Sequence, residues 1–286
     1  MERHMELRWI DTAGLRAPVL LDGCGTAPPA VLVPGLSDGL APVSLPETRR
    51  LLGSAPLPMQ RFRCVVVSYP DPPPDPDPHA PPPSTGALAD QVAGLLDTLI
   101  DRPAWLFAHS MGAMVAQHLA ATRPDLVAGM VLSASTARAD DRLRDVLVDW
   151  RLAVESRDWH RFARLAIEAS YTGTERARRR LLLRVSPPAE HPDDRVARHV
   201  ALTAAAVEHD AADVLGEIRC PTLVLSGEHD PLCPPGVGST LAAGIPGARF
   251  EVLSGLAHGF PEQAPARFAR HVLAFLAEHG HPGPTP

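Results

Sequence analysis

The sequence contains no lysine, so all 27 of its basic residues are arginines. The 33 acidic residues outnumber them and leave a formal net charge of −6. Proteins that bind nucleic acids generally carry an excess of basic charge, and this balance argues against a nucleic-acid partner. Because every exposed positive charge must be an arginine, the presence of an arginine says little about a specific binding role.

Long apolar segments are also missing. No uncharged apolar stretch reaches the roughly 18 residues that indicate a membrane-spanning helix. The stretch that comes nearest, residues 104–121, is interrupted by His109, Gln117 and His118. The N-terminal segment MERHMELRWIDT lacks the apolar centre of a secretory signal peptide. We therefore expect no membrane partner and a cytoplasmic location.

Cysteine is scarce, and its spacing excludes the common metal motifs. The four cysteines, Cys24, Cys64, Cys220 and Cys233, form neither a CxxC pair nor a zinc-ligand pattern. We expect them to be reduced thiols. The histidines also lack metal-ligand spacing, so the sequence predicts no metal and no cofactor.

What the chain does contain is an alternation of strand-like apolar segments with segments of helical periodicity. This alternation is typical of an α/β fold, in which a doubly wound, mostly parallel sheet is covered by helices on both faces. Over residues 138–213 the alternation stops, and the pattern there is helical and rich in arginine. We predict a core formed by residues 1–137 and 214–286, with 138–213 inserted as a helical cap over one edge of the sheet.

A proline-rich segment, PDPPPDPDPHAPPP, follows the strand-like run RFRCVVVSYP. Proline has no amide hydrogen to donate, so residues 70–83 are predicted to form a surface loop. The segment that follows has apolar residues at helical spacing, and Ser84 is predicted to cap the start of that helix.

One serine stands at the junction between a predicted strand and a predicted helix. In PAWLFAHSMGAMVAQHL, Ser110 follows the apolar residues 104–108 and precedes an alanine-rich segment. Such a corner holds a serine hydroxyl at the carboxyl edge of a sheet, where it can act as a nucleophile. Small neighbours are needed because the helix leaves close to the strand. Gly112 meets this need, and Ala108 adds only one methyl group.

A serine nucleophile needs a base and a third group that orients the base. His258, in LSGLAHGFPEQAP, follows the last predicted strand, and Asp230, in SGEHDPLCPP, follows the strand before it. We predict that Ser110, Asp230 and His258 form a catalytic triad at one edge of the sheet. Three other acidic residues stay open as alternatives to the aspartate: Glu228, Asp140 and Asp141.

The negative charge that develops during acyl transfer needs amide donors, which together form an oxyanion hole. Met111 begins the predicted helix, where the helix dipole also favours negative charge. The second donor is expected in the loop after the strand AVLV, where the amide of Leu36 is best placed. His109 and His229, which neighbour predicted triad residues in the sequence, are expected to have structural roles.

Together these segments resemble the α/β-hydrolase superfamily. PGLSDG, AHSMGA, GEHDPLCP and GLAHGFPEQAP match family motifs in the family's order, between about Pro29 and His279. The closest resemblance is to enol-lactonases, carboxylesterases and cofactor-free perhydrolases. A serine nucleophile argues against the family's epoxide hydrolases and haloalkane dehalogenases, which use aspartate. Two features depart from the family pattern: Ala108 replaces a glycine, and the proline-rich loop replaces an Asp-x-x-Gly-x-Gly turn.

The resemblance implies hydrolysis of a small-molecule ester, lactone or thioester through an acyl-enzyme. Thioester release or carbon–carbon bond hydrolysis, in a biosynthetic or degradative pathway, is an alternative. A ligand-binding receptor with little turnover is another. Within the cap, Arg178, Arg179 and Arg180 could attract a carboxylate or a phosphopantetheine thioester, or form solvated helix faces. Cap aromatic residues could line a pocket or pack among themselves: Trp150, Trp159, Phe162 and Tyr171.

Overall fold

The computed structural model describes residues 5–12, 15–22, 27–44, 62–71 and 82–280. Most of the predicted loop at residues 70–83 lies outside these described residues, and so does Cys24. Of the other cysteines, Cys220 and Cys233 are free thiols.

Eight strands form one sheet in the order β1-β2-β4-β3-β5-β6-β7-β8. Their bounds are Met5–Thr12 (β1), Leu15–Asp22 (β2), Pro29–Val33 (β3), Arg63–Val67 (β4), Ala104–His109 (β5), Val127–Ser133 (β6), Thr222–Gly227 (β7) and Arg249–Leu253 (β8). β2 pairs antiparallel with both β1 and β4, and every other neighbouring pair is parallel. The predicted doubly wound, mostly parallel sheet is therefore confirmed.

Ten α-helices lie among the described residues. They are Ser37–Leu40 (α1), Thr85–Leu99 (α2), Met111–Thr122 (α3), Asp141–Glu155 (α4), Trp159–Ser170 (α5), Gly173–Val185 (α6), Asp193–Val207 (α7), Pro235–Gly244 (α8), Phe260–Gln263 (α9) and Pro265–Glu278 (α10). The single turns α1 and α9 are not predicted from the sequence. Ser84 does cap α2, because its Oγ accepts a hydrogen bond from the Ala87 amide at 3.0 Å. No helix in the described part of the chain is both long enough and apolar enough to cross a membrane.

Helices cover both faces of the sheet, and strand β5 shows why. Successive side chains of a strand point to opposite faces. Leu106 belongs to the larger core cluster, together with Val115 of α3. Trp105 and Phe107 belong to a second cluster on the other face, where the Trp105 ring meets that of Phe275 in α10 edge to face. The strand is buried from both sides, which fits its unbroken apolar sequence.

Four helices, α4 to α7, lie between β6 and β7, where the sequence predicts a helical insertion. We call these four helices the cap; the exact division between cap and core stays a prediction. α7 packs against α1, which follows β3. The carbonyls of Ala169 and Ser170, at the end of α5, accept hydrogen bonds from the loop after β8. The cap therefore lies over the carboxyl edge of the parallel strands.

The cap arginines are paired with carboxylates of their own surroundings. Arg178 and Arg179 both donate to Glu175, at 2.6 Å in each case, and Arg180 donates to Glu168. A cation whose charge is already matched by a neighbouring carboxylate attracts an anionic ligand less strongly. These contacts favour the interpretation of this surface as a solvated helix face.

Most of the cap aromatic residues pack within the protein. The rings of Trp150 and Phe162 meet edge to face with centroids 5.9 Å apart. Trp159 packs in a small apolar cluster with Leu40, which lies in the core. Tyr171 is also buried, with the Arg179 guanidinium 3.8 Å from its ring centroid, and it is one of the residues that line an open cleft between the cap and the core.

Candidate active site

Ser110 occupies a strained backbone corner between β5 and α3. Its φ is 56° and its ψ is −124°, a conformation that costs about 1–3 kcal/mol for a residue with a side chain. The corner also needs a glycine two residues on. A Cβ on Gly112 would lie 2.3 Å from the carbonyl oxygen of Val33 and 2.6 Å from that of Pro34. The helix therefore leaves the strand closely enough to touch the backbone that follows β3.

The residue two positions before the serine has more room. Ala108 lies within β5, paired in register with Val33 of β3 and Leu132 of β6, and it is buried. Its Cβ is accommodated in this central position of the sheet. Alanine is therefore compatible with the sharp corner, whereas Gly112 allows no side chain.

The structure brings the three predicted triad residues together. His258 Nε2 lies 2.9 Å from Ser110 Oγ, and His258 Nδ1 lies 2.9 Å from Asp230 Oδ2. A carboxylate can only accept, so Nδ1 carries the hydrogen and Nε2 is left to accept from the serine hydroxyl. Asp230 and His258 are both buried. This is the order of atoms through which a serine can lose its proton to a base.

Asp230 is held as a carboxylate by four hydrogen-bond and charge contacts. Its Oδ1 accepts from the amides of Leu232 and Cys233, each at 2.9 Å. Burial alone would raise the pKa of Asp230. The charge that His258 can carry, the hydrogen bond from its ring and the two amides together outweigh burial and hold the pKa below its ordinary value. The group beside the imidazole is therefore ionised at neutral pH.

The alternative acids are engaged elsewhere. Glu228 Oε2 accepts from the Gly255 amide at 2.7 Å. Asp140 caps α4, since its Oδ1 accepts from the Leu143 amide at 2.8 Å. The Asp141 side chain is 97% exposed on the first turn of the same helix. Asp230 is the carboxylate that the fold places on the predicted base.

His109 packs beside the three predicted triad residues, as expected of a structural residue. Its ring centroid lies 5.1 Å from that of His258 and 6.1 Å from that of Phe260. Burial, together with the neighbouring charge of His258, lowers the pKa of His109 to about 3. His109 is therefore neutral at working pH. His229, by contrast, is exposed on the surface.

The two predicted oxyanion donors flank the nucleophile. Met111 is the first residue of α3, and the first amides of a helix have no acceptor within it. Leu36 follows Gly35, and a Cβ on Gly35 would lie 3.3 Å from the Cβ of Ser110. The loop after β3 therefore passes directly beside the serine. The fold thus brings the segments of Leu36 and Met111 to the same side chain.

Three atoms that could ligate a metal, from Asp230, Cys233 and His258, lie within 4.8 Å of one another. Two of these residues form the hydrogen-bonded pair described above. Burial, with the nearby Asp230 charge, raises the pKa of Cys233 well above its ordinary value. Only the thiolate binds metal well. The cluster is therefore better suited to proton transfer than to metal binding.

An open cleft of about 440 Å³ lies next to the histidine loop. It is lined by cap residues near the α5–α6 junction and by residues that follow β7 and β8: Glu168, Tyr171, Thr172, Gly173, Arg176, His229, Gly255 and Ala257. Ala257 immediately precedes His258, so the cleft borders the candidate site. Its walls are largely polar.

Two contacts between the cap and the site are not predicted from the sequence. The His258 amide donates to the Ala169 carbonyl at 3.2 Å, and the Gly259 amide donates to the Ser170 carbonyl at 2.8 Å. A Cβ on Gly259 would lie 2.8 Å from that same Ser170 oxygen. The end of α5 therefore rests on the backbone that carries the histidine. Contacts between backbone groups depend on no particular side chain and therefore leave little trace in the sequence. The one sequence feature that could have indicated this contact is Gly259, directly after His258.

Residues 28–265 match the model of the alpha/beta hydrolase fold family. The chain belongs to this family. The order of the strands, the corner at Ser110 and the sequence motifs agree with that membership, which confirms the resemblance drawn from the sequence. Family membership and the hydrolase relatives identify the chain as an enzyme of the hydrolase class.

Relatives of this alpha/beta hydrolase include esterases. A pimeloyl-[acyl-carrier protein] methyl ester esterase from Chromobacterium violaceum is 28% identical over 212 residues, which span 67% of this chain and 75% of that protein. One from Neisseria meningitidis serogroup C is 31% identical over 197 residues, spanning 67% and 72%. Among solved structures, the enol-lactonase from Burkholderia xenovorans LB400 has a TM-score of 0.74 at 24% identity, covering 94% of this chain and all of that one. That structural likeness concerns the fold.

Proposed function

We propose that the chain is a serine hydrolase that cleaves a small-molecule carboxylic ester through an acyl-enzyme. The observation that carries this proposal is the continuous chain of hydrogen bonds from Asp230 through His258 to Ser110, each 2.9 Å long. It ends on a hydroxyl that a strained corner holds at the carboxyl edge of the sheet. A solvated serine or a serine that only caps a helix requires neither the hydrogen-bonded His–Asp pair nor the strained backbone corner.

In the first step the Ser110 oxygen attacks the carbonyl carbon of the ester. Its proton passes to His258 Nε2 as the new oxygen–carbon bond forms. The carbonyl oxygen becomes negatively charged, and the amides of Met111 and Leu36 donate to it. The tetrahedral intermediate then collapses: the bond to the alcohol breaks, and the alcohol oxygen takes the proton from His258. This leaves an acyl group on Ser110.

In the second step water repeats the sequence. His258 takes a proton from a water molecule whose oxygen attacks the acyl carbon. Collapse of this intermediate returns the proton to Ser110 and releases the acid. Asp230 stabilises the protonated imidazole in both steps and keeps its ring oriented. His109 supports the same charge by staying neutral, because a second imidazolium 5.1 Å away would repel it.

The substrate class that we propose first is a short alkyl ester of a carboxylic acid. Two relatives that each align with 67% of the chain are methyl ester esterases. Lactones and thioesters have the same electrophilic carbonyl and would be attacked in the same way, and they are tested alongside. The cleft beside His258, with its polar walls, is open enough to accept a polar substituent or leaving group.

The test combines a covalent probe with a substrate panel. A fluorophosphonate should label the wild-type protein once, at Ser110, and Ser110→Ala should abolish both labelling and turnover. The panel contains matched methyl and p-nitrophenyl esters, a lactone, an acyl thioester and a vinylogous 1,5-diketone as a carbon–carbon bond substrate. Hydrolysis of the esters supports the proposal. Labelling without turnover of any compound would point to a receptor, and full labelling of the alanine variant would exclude Ser110 as the nucleophile.

We also propose that the enzyme works in the cytoplasm on a small acyl substrate. The supporting observation is that Cys220 and Cys233 are free thiols, which persist in reducing compartments. Fractionation of the native host, followed by immunodetection, tests it. Recovery in a secreted or membrane fraction would contradict it.

A further inference from the structure

Two adjacent residues of the cap helix α7, Arg198 and His199, are buried against the core. Their exposed fractions are 2% and 1%. A fully buried arginine is rare in proteins unless its charge is paired. Both side chains reach the segment that follows β3, residues 34–40, which includes α1 and carries the proposed oxyanion donor Leu36.

Arg198 joins this loop to the loop that follows β4. Its guanidinium donates to Asp38 Oδ2 at 2.6 Å, to Ser68 Oγ at 3.1 Å, and to the backbone carbonyls of Asp38 and Tyr69. The Asp38 carboxylate also accepts from the Ser68 hydroxyl at 2.6 Å and from the Tyr69 amide at 2.9 Å. One cap side chain therefore fixes the relative position of two core loops.

His199 reaches the loop at Leu36 itself. Its Nδ1 lies 3.2 Å from the Leu36 carbonyl oxygen. Since a carbonyl only accepts, Nδ1 must carry the hydrogen, and burial lowers the pKa of His199 to about 4, so the ring is neutral. The contact is close along the backbone as well: a Cβ on Gly39 would lie 2.7 Å from the Cα of His199.

These contacts bracket the peptide group that carries the Leu36 amide. That amide belongs to the Gly35–Leu36 peptide. The carbonyl of the preceding peptide, on Pro34, accepts from the Tyr69 hydroxyl at 2.9 Å. The carbonyl of the following peptide, on Leu36, accepts from His199. The preceding peptide plane is thus held by a tyrosine whose backbone Arg198 contacts. The following one is held by His199, together with the Gly39 amide, which donates to the same Leu36 carbonyl at 3.0 Å.

We infer that Arg198 and His199 are positioning residues, which orient the Leu36 amide toward the oxyanion from the cap side. This inference rests on the proposed function. Preorganised donors stabilise an oxyanion because they need not reorient during the reaction. A buried ion pair adds little net stability over apolar packing, so the fixed loop geometry is the benefit that this arrangement supplies. Oxyanion stabilisation then requires the cap to be docked.

The first experiment compares His199→Asn with His199→Leu. The two replacements have nearly the same shape and remove the same ring, but only asparagine keeps an amide hydrogen near the place of Nδ1. We measure the second-order rate of fluorophosphonate labelling at Ser110, together with kcat and KM for a p-nitrophenyl ester. The leucine variant should lose about tenfold in labelling rate and kcat, the equivalent of one hydrogen bond. The asparagine variant should stay within about threefold of wild type, and KM should change little in both.

The second experiment tests the arginine. Arg198→Lys keeps the charge but loses the forked geometry that reaches four acceptors at once. It should lower the labelling rate and speed hydrogen exchange of the peptide covering residues 34–40. Arg184→Met, which removes an exposed arginine of the same cap, is the matched control and should change neither.

The outcomes separate this inference from the proposed function. If wild-type protein is not labelled at Ser110, the proposed function fails and this inference fails with it. If wild type is labelled but the leucine and asparagine variants of His199 react equally fast, only the positioning role is overturned. Equal exchange of residues 34–40 in wild type and Arg198→Lys would likewise overturn the role of Arg198.

Discussion

The two sides of the candidate site are held by different kinds of contact. On the triad side, Ser110 directly follows β5, and Asp230 and His258 lie in the loops that follow β7 and β8, so the order of the strands places them together. On the oxyanion side, the Leu36 segment is held by Tyr69 of the core and by Arg198 and His199 of the cap, which lie more than 150 residues further along the chain. The cap touches both sides, but it meets the histidine loop only through backbone hydrogen bonds from the end of α5, whereas buried cap side chains reach the Leu36 segment.

Substitutions on the two sides of the site should therefore have different effects on activity and stability. Damage to the triad should remove the chemistry and leave the fold intact. Damage to the cap contacts should affect both, because the buried groups that orient the loop also join the cap to the core.

Asp230→Asn should give the largest loss of activity. Asparagine keeps the shape, but its amide can donate to Nδ1 and favour the wrong tautomer of His258. By analogy with other triads, the acylation rate should fall by about 10⁴-fold while the thermal midpoint changes little. Stopped-flow acylation with a p-nitrophenyl ester measures it. Glu228→Gln and Asp140→Asn are the matched controls, and collapse of activity in either of them would move the acid to another position.

Arg198→Met should give the largest loss of stability. It leaves the Asp38 carboxylate buried without its counter-charge, which costs about 3–5 kcal/mol. Urea denaturation measures the free energy of unfolding, and Arg184→Met should change it by less than about 0.5 kcal/mol. The double variant Asp38→Leu, Arg198→Met should recover most of the loss. A small effect of the single variant would mean that the ion pair does not join cap and core.

Acid should weaken the folded state before it protonates the triad aspartate. Burial lowers the pKa of His109 to about 3 and those of His199 and His209 to about 4. The unfolded chain takes up protons on these groups near pH 6.5, and the folded chain does so only at lower pH. The free energy of unfolding should therefore fall between pH 6.5 and about 4, by about 1–3 kcal/mol per histidine.

Urea midpoints at pH 7 and pH 5 test this, and His209→Gln supplies the comparison. His209 Nδ1 lies 2.9 Å from the hydroxyl of Thr85, and its Nε2 lies 3.2 Å from the carbonyl of Thr136. Glutamine retains hydrogen-bonding groups but does not titrate, so its decline with acid should be shallower. An unchanged slope would show that His209 contributes nothing to the pH dependence.

Ala108→Gly should have the smallest effect. Alanine adds one methyl group at a position where the sheet accommodates it, so activity should stay within several-fold of wild type. Ala108→Val should lose more, because a branched side chain at this buried position forces a strain of about 1–3 kcal/mol and moves Ser110. Ester turnover and thermal midpoints of both variants measure the difference. A fully active valine variant would show that the corner tolerates displacement.

The sequence predicts the sheet and the triad because both follow from local patterns. Ser110 stands at a change from strand to helix periodicity, and Gly112 two residues later is the neighbour that the corner requires. Ser84 precedes a helix and caps it. Such signals depend on residues close together in the chain. The strand order of the fold then brings the residues that follow different strands to one edge of the sheet.

The cap contacts escape prediction for a physical reason. Arg198 and Arg178 occur in similar arginine-rich helical segments, yet Arg198 is buried and ionically paired to the core while Arg178 is exposed. Which face of a helix meets the core depends on how the insertion docks, and helical periodicity does not encode that. The contacts made by the backbone carbonyls of Ala169 and Ser170 are even harder to predict from the sequence, because every residue has a backbone carbonyl.

The close approach of Gly39 to the backbone of His199 has a consequence for recombination between family members. A crossover that exchanged residues 138–213 alone would import a foreign α7 and leave behind the glycine and Asp38 that fit the native helix. The incoming helix would then meet a backbone shaped for another partner. Chimeras should therefore stay active when the segment around residues 34–40 is exchanged together with the insertion. Recombination would then have to transfer these two distant segments as a pair.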